Sequence, residues 1–99
     1  MMTKQELTDW ALANGWKMIG AYPCLPKPDA PKEALVRMLL KSMGVDLQMR
    51  RPSGRWEKVA GQSYLKIYPD PRTGQPLDMG LEKITGIARL MERAREGGE

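Results

Sequence analysis

Apolar positions along this chain recur at two different spacings, and the changes between them divide it into elements. Thr3-Lys4-Gln5-Glu6 has the form of a capping box, in which the threonine side chain accepts from the Glu6 amide while the Glu6 side chain reaches back. Leu7, Trp10 and Ala11 then fall on one helical face. Asn14-Gly15 closes the helix, because glycine readily takes the left-handed conformation common at a helix C-terminus. From Trp16 to Tyr22 the alternation has period two, which predicts a short strand. Residues 23–31 hold Pro23, Pro26, Pro28 and Pro31. Proline fixes φ and removes a donor, so this segment is expected to be a stiff internal loop.

The next run reads two ways. Asp29, Pro31 and Glu33 have the chemistry of a helix start, Ala34, Leu35, Met38 and Leu39 form a stripe at helical spacing, and Gly44 is a stop. These signals predict a helix over 34–44. The run is also apolar at both parities, so the alternative is an extended strand flowing into Val45–Arg51. Beyond it, Val45, Leu47 and Met49 point one way and Asp46, Gln48 and Arg50 the other, as in a strand with one buried face. Arg51-Pro52-Ser53-Gly54 is a tight turn with proline second and glycine fourth. Arg55–Ala60 returns as a strand, Ala60-Gly61-Gln62 breaks it, and Ser63–Pro69 supplies one strand more. After a loop rich in Pro, Asp and Gly, Asp78 is the expected cap of a last helix with Leu81, Ile84, Ala88 and Met91 on its buried stripe. Residues 96–99 read as a frayed tail. The expected fold is α+β, in the order α-β-α-β-β-β-α. Helices would pack on one face of a small, mainly antiparallel sheet of three to four strands.

Length and charge narrow this picture. Ninety-nine residues suit a single domain, 1–99. No apolar run is long enough for a transmembrane helix, and the first residues lack the apolar stretch of a secretory signal. Cys24 is the sole cysteine and has no internal disulfide partner, so a cytoplasmic protein with no membrane association is expected. The net charge of +4 and a pI near 9.4 favour an acidic partner. With no phenylalanine and eight methionines, the core must rest on aliphatic side chains, methionine and three tryptophans.

Candidate chemistry is thin. There is no histidine for general base catalysis, no second cysteine for a thiolate zinc site, and no glycine-rich phosphate loop, so no cofactor or metal is expected. Cys24 lacks an activating histidine. Asp70 and Asp78 are explained as turn and cap residues. Tyr64, Lys66 and Tyr68 form no recognised catalytic group. A non-enzymatic binding protein is therefore expected.

The opening helix leading into Asn14-Gly15-Trp16 resembles the start of the small toxin ribonucleases of bacterial toxin–antitoxin systems. The resemblance covers about a sixth of the chain and implies a similar passage from helix to strand. Those toxins depend on a histidine that this chain lacks, so their activity does not carry over.

What remains is cationic and aromatic. Arg50, Arg51, Arg55 and Lys58 gather around the predicted hairpin with Trp56 among them, opposed only by Glu57. On the next predicted strand, Tyr64 and Tyr68 flank Lys66 on one face. Aromatic platforms with interleaved cations suit single-stranded nucleic acid, so RNA or DNA is the expected partner. The alternative is a protein-interaction module, an adaptor or inhibitor from a bacterial or phage source, using the same hairpin on an acidic protein surface. An open sheet edge would also allow a homodimer.

Overall fold

A computed structural model describes residues 1–96. The molecule is α+β: a five-stranded antiparallel sheet with a helix at each end of the chain. Helix α1 (Lys4–Ala13) starts on the capping box, with the Glu6 amide donating to Thr3 Oγ1 at 3.1 Å and the Thr3 amide to Glu6 Oε1 at 3.0 Å. Leu7, Trp10 and Ala11 are its buried face. Five strands follow as a meander in sequence order: β1 (Lys17–Ile19), β2 (Tyr22–Lys27), β3 (Ala30–Leu40), β4 (Gly44–Arg50) and β5 (Trp56–Ser63). Short β6 (Tyr68–Pro69) and β7 (Pro76–Leu77) pair as a separate ribbon, and α2 (Ile87–Glu96) ends the described chain.

Several expectations are corrected. The helix predicted over 34–44 is strand β3, so the alternative reading of that run holds. Ala34, Val36 and Met38 are buried and the residues between them only partly so. The strand pairs with β2 between Ala30 and Arg37 and with β4 from Val36 to Leu40, and such non-local ladders outweigh the local helix propensity of Leu, Met and Lys.

The proline-rich loop expected over 23–31 is mostly β2. At each of its two prolines the strand has a neighbour on one side only. Pro23 pairs with Met18 of β1 before β3 pairing begins at Cys24. Pro26 pairs with Ala34 of β3 beyond the last residue paired with β1, between two register shifts. Edge positions and bulges are where proline does least harm to a ladder.

The chain break expected at Ala60-Gly61-Gln62 lies inside β5. The strand predicted over Ser63–Pro69 is a 3-10 turn, Tyr64–Lys66, followed by two-residue β6. Asp78 does not cap the last helix. It takes a left-handed φ of 65°, a 3-10 turn spans Leu81–Lys83, and α2 begins after Gly86. The helix then packs through Ile87, Leu90, Met91 and Ala94, and Ala88 is exposed. The observed sheet thus has five strands where three to four were expected. Of the tail expected at 96–99, Glu96 completes α2, and 97–99 lie outside the described residues.

One core joins these parts. Leu7, Trp10 and Trp16 from the N-terminal region meet Leu25, Val36, Met38, Val45, Leu47 and Ala60 of the sheet. Tyr64, Ile67, Met79, Leu81 and Ile84 from the irregular segment close it. Helices and irregular segment therefore occupy one face of the sheet. No helix among the described residues is long and apolar enough to cross a membrane.

Candidate functional site

The opposite face of the sheet is built by register. Asp46, Gln48 and Arg50 alternate with buried Val45 and Leu47 on β4, so they point away from the core. On β3, Arg37 stands opposite both Cys24 and Gln48. On β5 a bulge decides the arrangement. Leu47 pairs with Ala60, but Gln48 pairs with Lys58, so Val59 is the extra residue. Ala60 faces the core. Without the bulge, Lys58 and Trp56 would share its face. The inserted residue reverses the phase and brings both out beside Gln48 and Arg50.

Trp56, half-buried, lies across from Arg50. The Arg37 guanidinium carbon sits 4.1 Å from the Trp56 ring centroid and 5.6 Å from that of Tyr22. Arg37 Nε also donates to Gln48 Oε1 at 2.7 Å, which fixes the plane of the guanidinium. An arginine stacked between two aromatic rings thus stands on the uncovered face. The surrounding depression, about 390 Å³, includes Tyr22, Cys24, Glu33, Arg37, Arg50 and Trp56 in its wall. Burial pushes the Cys24 thiol above its ordinary range, and its sulfur contacts the Tyr22 carbonyl at 3.3 Å. Burial thus favours the neutral thiol over the thiolate.

The hairpin itself has the expected form. The Gly54 amide donates to the Arg51 carbonyl and the Arg51 amide to the Arg55 carbonyl, each at 2.8 Å, with Gly54 at φ 89°. This is a turn with Pro52 second and the left-handed Gly54 fourth. Its cations are not equivalent. Arg51 forks onto Glu57 with two bonds of 2.8 Å, and those bonds hold the Glu57 carboxyl below the usual range. Lys58 and Lys41 share Asp46, at 3.4 and 3.0 Å. Arg50 stands 3.8 Å from Glu33. Arg55 makes no ion pair among the described residues.

Tyr64, Lys66 and Tyr68 do not form the aromatic strand face expected for them. Tyr64 is buried and its hydroxyl donates to the Lys41 carbonyl. Lys66 ends the 3-10 turn, and Tyr68, 53% exposed, belongs to the separate ribbon. The structure instead adds Arg37 and Tyr22 to the group around Trp56. A signal for Arg37 was in the sequence: it is the one charge inside the apolar run Ala34–Leu40.

Charge is distributed to match. Residues 27–58 hold eight of the sixteen basic side chains but only four of the twelve acidic ones, so this segment accounts for the entire net charge of +4. No protein-family model matches the chain, and neither a characterised protein nor a solved structure shows significant similarity to it.

Proposed function

We propose that this protein binds single-stranded nucleic acid, RNA or DNA, on the uncovered face of its sheet and without catalysis. The observation that carries the reading is the stack of Arg37 against Trp56 and beside Tyr22, on a face over which no helix of the described residues packs. Unpaired bases stack on aromatic rings and on guanidinium planes, whereas paired bases withhold their faces. Arg50, Arg55 and Lys58 border the stack and provide phosphate contacts. Arg51 contributes only by giving up Glu57. Lys66, Tyr64 and Tyr68 fall outside this reading.

The test is fluorescence polarisation with labelled mixed-sequence single strands, RNA and DNA, and with a duplex. The expected result is binding to single strands in preference to the duplex, falling steeply between about 50 and 200 mM salt. Trp56→Ala should weaken it about fivefold to a hundredfold, the cost of one lost stack. Lys66→Ala and Tyr68→Ala should leave it unchanged. Absence of binding at low salt would overturn the proposal. So would wild-type affinity in an Arg37→Ala, Trp56→Ala double variant. Capture of an acidic protein through Arg50 and Arg55 in the absence of nucleic-acid binding would favour an interaction module.

A further inference from the structure

Beside the stack lies a carboxylate whose oxygens are held only by two long ion pairs. Of the four acidic side chains in the basic segment, Asp29 lies in the turn between β2 and β3 and does not line this depression, Asp46 is held between two lysines, and Glu57 is held by the fork of Arg51. Glu33 differs. Its Oε1 is 3.8 Å from Arg50 Nη1 and its Oε2 is 3.8 Å from Lys27 Nζ. Both are ion pairs beyond hydrogen-bond distance, and its side chain makes no hydrogen bond among the described residues. It lines the same depression as Tyr22, Arg37 and Trp56. A carboxylate next to a phosphate-binding surface repels the backbone of the strand, so its presence calls for a donor that it accepts from.

We propose that this depression reads one unpaired guanine, a refinement that rests on the single-strand binding proposed above. The Watson–Crick edge of guanine carries two adjacent donors, N1–H and the N2 amino group, spaced to meet the two oxygens of one carboxylate. Beside them is the O6 acceptor. Glu33 takes the two donors, and Arg50, next to Glu33, offers its guanidinium to O6. The other bases fit worse. Adenine presents a bare ring nitrogen beside its amino group, cytosine a ring nitrogen and a carbonyl, and uracil or thymine a lone N–H between two carbonyls. Each sets at least one lone pair against Glu33, an unpaired contact that costs affinity. Tyr22 and Trp56 supply the apolar faces on which the ring rests.

The experiment uses labelled oligouridines with a single central guanine, adenine, cytosine or inosine, titrated with the full chain and with Glu33→Gln. The guanine oligomer should bind at least about fivefold tighter than the adenine or cytosine oligomer, the usual worth of one bidentate base contact. Inosine, which keeps N1–H but lacks the amino group, should fall between. Glu33→Gln should erase the preference while retaining binding to all four, since the amide has only one acceptor and the backbone no longer meets a negative charge. Four equal affinities, inosine equal to guanine, or an undiminished preference in Glu33→Gln would each overturn guanine reading and leave single-strand binding standing. No binding to any oligomer would overturn both.

Discussion

The stack of Arg37 on Trp56 makes a quantitative prediction about stability that needs no ligand. Arg37→Ala removes a cation–π contact at 4.1 Å and a hydrogen bond of 2.7 Å to Gln48. Both Arg37 and Trp56 are half-buried, so the ring contact belongs near the exposed end of its range, about 0.5–1 kcal/mol. A hydrogen bond from a charged donor at a partly solvated site adds about 1 kcal/mol. The single variant should therefore lose about 1.5–2 kcal/mol. In a double-mutant cycle with Trp56→Ala, only the ring contact is shared, so the coupling energy should be about 0.5–1 kcal/mol. Urea unfolding followed by circular dichroism is the right assay, because fluorescence would change with the loss of one of three tryptophans. Arg37→Lys should retain part of the coupling to Trp56 and lose the bond to Gln48, since an ammonium cannot both stack flat and reach sideways. Additivity within about 0.3 kcal/mol would mean that the two side chains do not rest on each other in solution. The bulge-dependent placement of Trp56 would fall with it.

Other elements give separate tests. Tyr64→Phe removes the donor to the Lys41 carbonyl and should cost about 1 kcal/mol, or about 4–8 °C in Tm, with nucleic-acid affinity unchanged. Weakened binding at an unchanged Tm would restore Tyr64 to the binding surface. Gly15→Ala would place a Cβ 2.6 Å from the Met91 carbonyl at a φ of 94°. Thermal unfolding should show a loss above about 1 kcal/mol, and an unchanged Tm would refute the docking of α2 on the helix–strand junction. Burial raises the Cys24 thiol pKa, so the folded chain keeps its proton to higher pH than the unfolded chain. That contribution is complete below the unfolded thiol value, about 8.5, and is lost as pH rises through the folded one. Unfolding free energy measured from neutral to alkaline pH should fall, and less steeply in Cys24→Ala. Equal slopes would show the thiol to be solvated.

At three local signals the sequence and the structure agree. The capping box at Thr3, the stop at Gly15 and the turn at Pro52–Gly54 each depend on residues within five positions of one another. Their chemistry allows few alternatives. The alternation of Val45 and Leu47 against Asp46 and Gln48 is equally local. β3 shows the limit. Asp29, Pro31 and Glu33 imitate a helix start, and Ala34–Leu40 satisfies both periods. Only the ladders to β2 and β4 separate them, and these join residues as far apart as Cys24 and Arg37 or Val36 and Met49. β2 fails for a related reason. A proline argues against a central strand, yet Pro23 and Pro26 each fall where one neighbour is missing, and that depends on where β1 and β3 begin and end.

The candidate site was half legible for the same cause. Arg50, Arg55, Trp56 and Lys58 are close in sequence, and the turn between them brings them together. Tyr22, Glu33 and Arg37 come from 19 to 34 positions before Trp56 and reach it only because four strands, β2 to β5, lie side by side. The single-residue bulge at Val59 then settles which face the group occupies. No residue type at position 59 announces a bulge. In its absence the same hairpin would send Trp56 toward the core and Glu57 toward Arg37, leaving an arginine-rich loop with no aromatic contact. A binding surface on this sheet therefore depends less on how many arginines the hairpin carries than on the phase of β5. Deleting Val59 should therefore keep the coupling between Arg37 and Trp56, because Ala60 and Trp56 would then stand three residues apart and fall on opposite faces by plain alternation; loss of the coupling would show that the outward placement of Trp56 needs the bulge itself.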